Sequence, residues 1–423
     1  MALQNAALVA NELERVEPKL TTLFDYNDTF YSFIEKVDSE VIGSKDMRIP
    51  LEIHTGGNFG HFDADGGDLG LGDGPSFDKA LINAEYLRLA IQWTKKAEWT
   101  TDDKRKSVLN ITRHLLAKSM ARFRREIDSL CMTDGTGQLG TISAVTVNTP
   151  AGFDTIVLNG DGFGARLVRF GLSGSFYWDS AGTWTARAGG EKKITYYDSA
   201  AKTIQVPTGT VAIAVGDKFV VSGLTGTNPK SILGVKYHHN GSSVGTWLGL
   251  DRVVNPEIRG NEINAASALN LAHARLAMAK VGDRVDGDIM KGVTAWTHPA
   301  QIAAFEAIMN QVTVVNAGSN RNQGTVDPYW DMDNLKIAGV PVKTHWSWDK
   351  TRIDFIVKSA WGRAVLHEPG FYDVQDRRIF ELRGASGGVA TSQIFYLVIA
   401  FNLFMKNPQA GAYIKGLTVP AGY

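Results

Sequence analysis

Two apolar periodicities take turns along the chain. Met47, Ile49, Leu51 and Ile53 alternate with Arg48, Pro50 and Glu52, and Leu87, Leu89, Ile91 and Trp93 alternate with Arg88, Ala90 and Gln92. A period of two puts one face of a strand against apolar surroundings and the other toward water. The two runs predict a pair of strands separated by a glycine-rich excursion from Thr55 to Gly74. A connection that long is uncommon inside a compact domain unless it has a task. The period then changes. Leu109, Leu116, Met120, Phe123, Ile127 and Leu130 recur at spacings of three, four and seven, the stripe of an amphipathic helix. Thr101-Asp102-Asp103 offers a cap and negative charge at its start, and Asp134-Gly135 a stop. Such a helix would be roughly 45 Å long at 1.5 Å per residue. It needs a flat sheet or neighbouring subunits to lie along.

From about 141 to 253 the texture becomes all-β. Thr141 to Val147, Thr155 to Leu158, Ala165 to Phe170, Lys192 to Tyr197 and Asp217 to Val221 read as strands, with turns such as Asn159-Gly160-Asp161-Gly162 between them. This spacing predicts a small barrel or sandwich inserted into an α/β unit. Helical spacing returns from Asn264 to Val281, with Ala266, Leu269, Ala272, Leu276 and Ala279 on one face and Gly282 as stop. A strand at Lys291 to Trp296 leads into His298-Pro299, with proline suited to a first helical turn, and Ile302, Phe305 and Met309 mark a short helix. Strands are expected at Leu335 to Lys343, Ile353 to Lys358, Arg363 to His367 and Ala412 to Leu417. The apolar run Ile394 to Phe404, interrupted by Asn402, reads as a buried central strand. At the other end, Ala6, Leu8, Val9, Leu13 and Val16 make a short helical stripe within an arm that runs to about residue 46.

Composition narrows the class. At 423 residues the chain exceeds one ordinary domain, and 44% hydrophobic against 21% charged residues excludes wholesale disorder. The 44 basic and 44 acidic side chains cancel, so any nucleic-acid contact is expected to be diffuse or local. A single cysteine, Cys131, allows no internal disulfide and no cysteine-based zinc site, and is expected to be a small buried residue. The first residues lack the layout of a signal peptide and the run 394–404 is too short for a bilayer, so a soluble cytosolic product is expected, without a membrane partner.

Candidate chemistry is thin. Gly135-Thr136-Gly137-Gln138-Leu139-Gly140 fits the bare dinucleotide pattern, but that chemistry needs a strand before it and a helix after it, and here the order is reversed. Gly384-Ala385-Ser386-Gly387-Gly388 fits the nucleophile elbow, yet a strand follows and no histidine comes after His367. Asp63, Asp65 and Asp68 resemble the start of a calcium loop, but Gly74 stands where the closing glutamate belongs. His238-His239 has no third ligand at helical spacing, and edge-strand histidines are the default. No acid, base and nucleophile converge, so no enzyme, cofactor or metal is expected.

The order of elements resembles the major capsid proteins of tailed bacteriophages, the Hong Kong 97-like fold. The strand-loop-strand at 47 to 96 looks like that family's extended loop, and the helix at 102 to 132 like its spine helix, closed by Asp134-Gly135-Thr136-Gly137. Val293-Thr294-Ala295-Trp296-Thr297-His298-Pro299 with Ile302-Ala303-Ala304-Phe305 is similar to its strand, turn and helix. Ile337-Ala338-Gly339-Val340-Pro341-Val342 resembles its "G-x-P-V" strand, and Ala400 through Pro408 to Ala412-Tyr413-Ile414-Lys415-Gly416 its closing strand pair. The resemblance implies an α+β fold with residues 1–46 as N-terminal arm, 47–98 as extended loop and 99–140 as the spine helix of a peripheral domain. Residues 141–254 would be an inserted all-β domain, and 255–423 the remaining peripheral and axial domains. It also implies a self-assembling icosahedral shell of hexamers and pentamers around double-stranded DNA, made in the host bacterial cytoplasm. A separate scaffolding protein and a portal are implied partners, with room for a cement or decoration protein.

Within that frame, Phe59, Phe62, Leu69 and Leu71 are the expected apolar anchors on neighbouring subunits, beside Asp63, Asp65 and Asp68. Between Thr101 and Met132 eight basic residues face four acidic ones, a net +4, whereas Thr55 to Lys79 carries five aspartates and one lysine, a net −4. Lys118, Arg122 and Arg125 share the helix face opposite the apolar stripe. That face is read three ways: simply solvated, touching the acidic loop of an adjacent subunit, or touching DNA phosphates, the last two salt-sensitive. Two other functions stay open, an encapsulin-type nanocompartment shell and a β-rich carbohydrate-binding or adhesion protein. The second would use Trp178, Trp184, Tyr196 and Tyr197 as its stacking surface.

Overall fold

The structure, a computed structural model, describes residues 29–37, 47–54, 56–61, 70–101, 111–159, 168, 170–198, 201–209, 212–283, 292–305, 336–374, 377–383 and 389–420. The N-terminal stripe at 6 to 16 and the segment 306–335 lie outside them. The chain divides into two compact units that interleave in sequence. One takes Ala84–Ser129 and Val365–Phe401 together with the helix Thr29–Phe33, and the other takes Ile34–Asn83, Leu130–Ala364 and Asn402–Tyr423.

The first unit is organised by the strand Val389–Met405, 17 residues long and central in a four-stranded sheet. Glu85–Thr94 runs antiparallel along it, from Thr94 opposite Ser392 to Glu85 opposite Phe401. Gln393, Phe395, Leu397 and Ile399 are buried while Ile394, Tyr396 and Val398 are half-buried, the signature of a strand with one fully covered face. The expected buried central strand is thus present. The helix Ile111–Leu130 buries Phe123 and Ile127, as its stripe predicts. Its expected start at Thr101-Asp102-Asp103 falls mostly on residues 102–110, which lie outside the described set. Thr101 itself is the last residue of a separate helix, Lys95–Thr101, whose first turn is capped by Thr94, which accepts from Ala97 N–H at 3.4 Å.

The second unit is built on a six-stranded sheet in the order Asn261–Asn264, Ala412–Lys415, Ile353–Val357, Val293–Thr297, Val340–Thr344, Lys336–Ile337. Its two central strands are buried at every residue, including Thr294, Thr297 and Asp354, so neither has a solvent-facing side. The helix expected from Asn264 begins only at Leu271, capped by Asn270, whose side chain accepts from Ala272 N–H. Residues 261–264 are instead a strand, pairing in parallel with 412–415. The single strand expected at Leu335 to Lys343 is a tight hairpin. Ala338 and Gly339 both have positive φ, 52° and 84°, the type I′ geometry that suits a two-residue turn. The helical turn after His298 starts at Pro299 as expected, and the Nδ1 of His298 accepts from Ala300 N–H at 3.0 Å.

The predicted all-β segment forms one eight-stranded sheet. Its order is Thr183–Ala186, Ser173–Ser180, Lys218–Val221, Gln138–Thr146, Phe153–Leu158, Thr203–Pro207, Tyr196–Asp198, with Lys192–Lys193 against Ser173–Ser180. Ile156, Phe176, Ile204, Val206, Phe219 and Val220 fill its interior. The run read as one strand from Lys192 to Tyr197 is two short ones, and most of Ala165 to Phe170 lies outside the described residues. The last strand ends at Val221. By residue 233 the chain is back among the second unit's central elements, where Leu233 N–H donates to Asn402 at 2.9 Å.

Candidate subunit-interaction surface

The excursion after residue 54 is a hairpin, but not the one the alternation suggested. Met47–His54 pairs with Ser76–Ile82, in register from Met47 opposite Ile82 to His54 opposite Ser76, whereas Glu85–Thr94 belongs to the first unit's sheet. The true partner was hidden because Ser76-Phe77-Asp78-Lys79 has no covered face: all four residues are exposed, and apolar alternation appears only where burial does. The hairpin grades sharply. At its root Ala80 and Ile82 are buried, and beyond them Phe77 is 68% exposed, Leu71 93% and Phe59 fully exposed. Just past the paired strands the chain closes on itself through Gly57 N–H to the Asp73 carbonyl at 2.8 Å. Gly56 is required there, since its φ is +70° and an added Cβ would lie 2.6 Å from the Gly74 backbone.

Each bare phenylalanine or leucine forgoes roughly 1.5–3 kcal/mol of burial free energy. Several together on one thin element form a surface that stabilises nothing in an isolated chain. Phe59 and Leu71 are exposed on the hairpin. Phe62, Asp63, Asp65, Asp68 and Leu69 lie outside the described residues. Phe77 and Leu81 join the surface and were not foreseen. On the helix Ile111–Leu130, Lys118, Arg122 and Arg125 are half-buried, while Arg124 is exposed. The three cations share a face, but it is not the most open one.

The second unit holds a buried polar cluster that the sequence did not announce. His238 and His239, expected at a strand edge, close the short helix Val235–His238 and are fully buried. His239 Nδ1 lies 3.0 Å from Asp354, which also accepts from Arg352 Nη2 at 2.7 Å and Trp348 Nε1 at 3.0 Å. Arg352 stacks 3.9 Å over the Tyr413 ring, and the Tyr413 hydroxyl donates to Glu262. Burial alone would raise the Asp354 pKa, but Arg352 and His239 outweigh it and hold the carboxylate at about 2. His238 accepts from Trp247 Nε1 at 3.1 Å and meets the Leu403 carbonyl at 3.2 Å, and burial pushes its pKa down to about 3. Both oxygens of Asp354 are engaged, so the cluster ties the core together. Among the described residues no three potential ligands gather into a metal site.

The other candidates resolve by context. Gly135-Thr136-Gly137 sits between a helix and a strand, with Asp134 accepting from Thr136 N–H at 3.1 Å, which is a turn and no phosphate cradle. Residues 384–388 lie outside the described set, but antiparallel strands, not strand and helix, stand on either side. Cys131 is buried. The four aromatics of the β sheet do not form one platform. Trp178 is opposite Thr185 and Trp184 opposite Asp179, so the two tryptophans occupy opposite faces, as do the adjacent Tyr196 and Tyr197.

No protein-family model matches the sequence, and no curated protein matches it. Solved structures do. The capsid asymmetric unit of cyanophage A-1(L) is similar with a TM-score of 0.56 at 13% identity, covering 96% of this chain and 97% of that one. The capsid of Myoviridae phage XM1 follows at 0.48 and 11%, covering 96% and 98%. The SrpI encapsulin complex from Synechococcus elongatus gives 0.45 and 8%, covering 100% and 99%. The fold is that of the cyanophage capsid subunit over nearly its whole length, the Hong Kong 97-like capsid fold that the ordered motifs resembled.

Proposed function

We propose that this chain is the major structural subunit of an icosahedral tailed-phage head. The observation that carries the proposal is the match of the fold to a capsid subunit over 96% of this chain and 97% of that one. The hairpin supports it independently, because Phe59, Leu71 and Phe77 are exposed in the single chain and other copies would cover them. Subunits related by cyclic symmetry would supply that cover, building pentamers and hexamers that close into a shell. The work of the molecule is then many modest contacts made at once, with no bond chemistry, and the change from precursor to mature shell a rigid-body rearrangement of subunits.

Assembly in the host bacterial cytoplasm, a scaffolding protein, a portal and an enclosed double-stranded DNA belong to the same proposal. With 44 positive and 44 negative side chains in balance, contact with that DNA is non-specific and local. Lys118, Arg122 and Arg125 are the proposed salt-sensitive face, directed at DNA or at a neighbour's acidic hairpin tip around Asp63, Asp65 and Asp68. Residues 141–254 are proposed as an inserted β domain. The faces of Trp178, Trp184, Tyr196 and Tyr197 do not favour a glycan-binding role for it.

Negative-stain microscopy of the purified protein, alone and with its scaffold, tests the proposal. Closed shells of uniform diameter are expected. A chain that stays monomeric at high concentration, its hairpin folded onto its own body, would overturn the proposal. Shells filled with one protein cargo in place of DNA would move the function to a nanocompartment.

A further inference from the structure

We propose that the turn at 246–251 is a socket that aims the extended hairpin before any neighbour is met, with Leu248, Tyr237 and Asn402 as its positioning residues. Its consequence for assembly rests on the shell-subunit proposal, but its geometry does not.

Three features point to it. First, the described residues hold the hairpin at its root. Leu81 N–H donates outward, away from the paired strand, to the Leu248 carbonyl at 2.9 Å. Two residues on, the Asn83 carbonyl accepts from Asn402 Nδ2 at 2.8 Å. Asn402 is 1% exposed, and its Oδ1 accepts from both Leu233 N–H and Leu403 N–H at 2.9 Å. The polar break in an otherwise apolar strand is therefore a buried clasp that joins residues 83, 233 and 403. Beyond Ala80, toward the loop, residues 76–79 are all exposed.

Second, the socket is strained where it touches the hairpin. Trp247 pairs with Leu250 across Leu248 and Gly249, whose φ values are +48° and +92°. These are type I′ values, a turn that asparagine and glycine enter easily and leucine does not. A branched residue stays left-handed only when its surroundings over-determine it.

Third, they do. Leu248 is 3% exposed, its N–H donates to the Tyr237 hydroxyl at 2.9 Å, and its carbonyl takes Leu81. The same hydroxyl donates to the Thr246 carbonyl, and Trp247 is locked beneath by His238. Both backbone polar groups of the strained residue are spent, one on the body and one on the hairpin. The exit direction of the hairpin is set by the body.

Hydrogen exchange on the unassembled subunit, paired with microscopy of its assembly products, tests this. The variants are Leu248→Gly, which relaxes the turn, and Tyr237→Phe, which removes only the hydroxyl that holds it. Exchange at Leu81 and through 47–54 and 76–82 should rise by about tenfold in both. Amides of 293–297 and 353–357 should be unchanged, and shells should become mixed in diameter or fail to close. If Leu248→Gly loosens the whole unit, Tyr237→Phe decides alone. Unchanged hairpin exchange in a folded Tyr237→Phe subunit overturns the socket, and looser hairpins with uniform shells overturn its part in assembly. Wild-type protein that makes no shells, with the exchange effect intact, instead sinks the shell-subunit proposal and leaves the socket standing.

Discussion

Acidification from pH 7 to pH 4 attacks the second unit at His238. The ring is fully buried, and Trp247 Nε1–H bonded to its Nδ1 at 3.1 Å fixes the proton on Nε2, which donates to the Leu403 carbonyl at 3.2 Å. A second proton must displace Trp247 and put a buried charge close to His239 and Arg252. The folded imidazole accordingly has its pKa at about 3, chiefly from burial, against 6.5 when exposed. Because the folded value is depressed, the unfolded chain binds the proton first. Stability is complete above pH 6.5, declines below it, and stops declining near pH 3. The slope is about 1.4 kcal/mol per pH unit, and the whole interval sums to about 5 kcal/mol. That is comparable with the entire stability of many domains, ~5–15 kcal/mol. Asp354 titrates outside this window: its pKa is depressed to about 2, so what it contributes is present above 3.8 and lost only as pH falls through 2. Urea unfolding followed by tryptophan fluorescence at pH 7, 6, 5 and 4 reads the slope. In His238→Gln the amide can accept from Trp247 and donate to Leu403 without titrating, so the slope should shrink by about 1.4 kcal/mol per pH unit. An identical slope in that variant, or a flat wild-type profile, would refute the reasoning.

Two further outcomes follow from burial. Asp354→Ala strands Arg352 as an uncompensated buried cation, and the second unit should lose about 3–5 kcal/mol in the same urea assay at pH 7. Phe59→Ser with Leu71→Ser removes apolar groups that are already exposed, so monomer stability should stay within about 0.5 kcal/mol of wild type. Shell yield should fall steeply, as read by sedimentation, and a yield equal to wild type would remove these residues from the interface.

The parts that were legible in the sequence are those whose environment is local. The stripe through Phe123 and Ile127, the runs at 293–297 and 353–357, and the turn into Pro299 each carry their period or cap in consecutive residues. The hairpin's second strand did not, because alternation records burial and Ser76 to Lys79 has none. The histidines misled for the opposite reason: adjacent polar residues suggest an edge, and their partners Asp354, Trp247 and Leu403 are distant in the chain. Asn402 was visible as an interruption, but not as a clasp.

By itself the amino-acid order determined most of the longer elements and their succession, and that succession already carried the resemblance to a capsid subunit. It could do so because periodicity, capping and turn chemistry act between neighbours in the chain. Only the tertiary structure decided which strand Met47–His54 pairs with, how the hairpin root is gripped, and what neutralises the buried Asp354. Those outcomes depend on groups brought together from distant parts of the chain, where burial and hydrogen-bond satisfaction, not local propensity, select the partner.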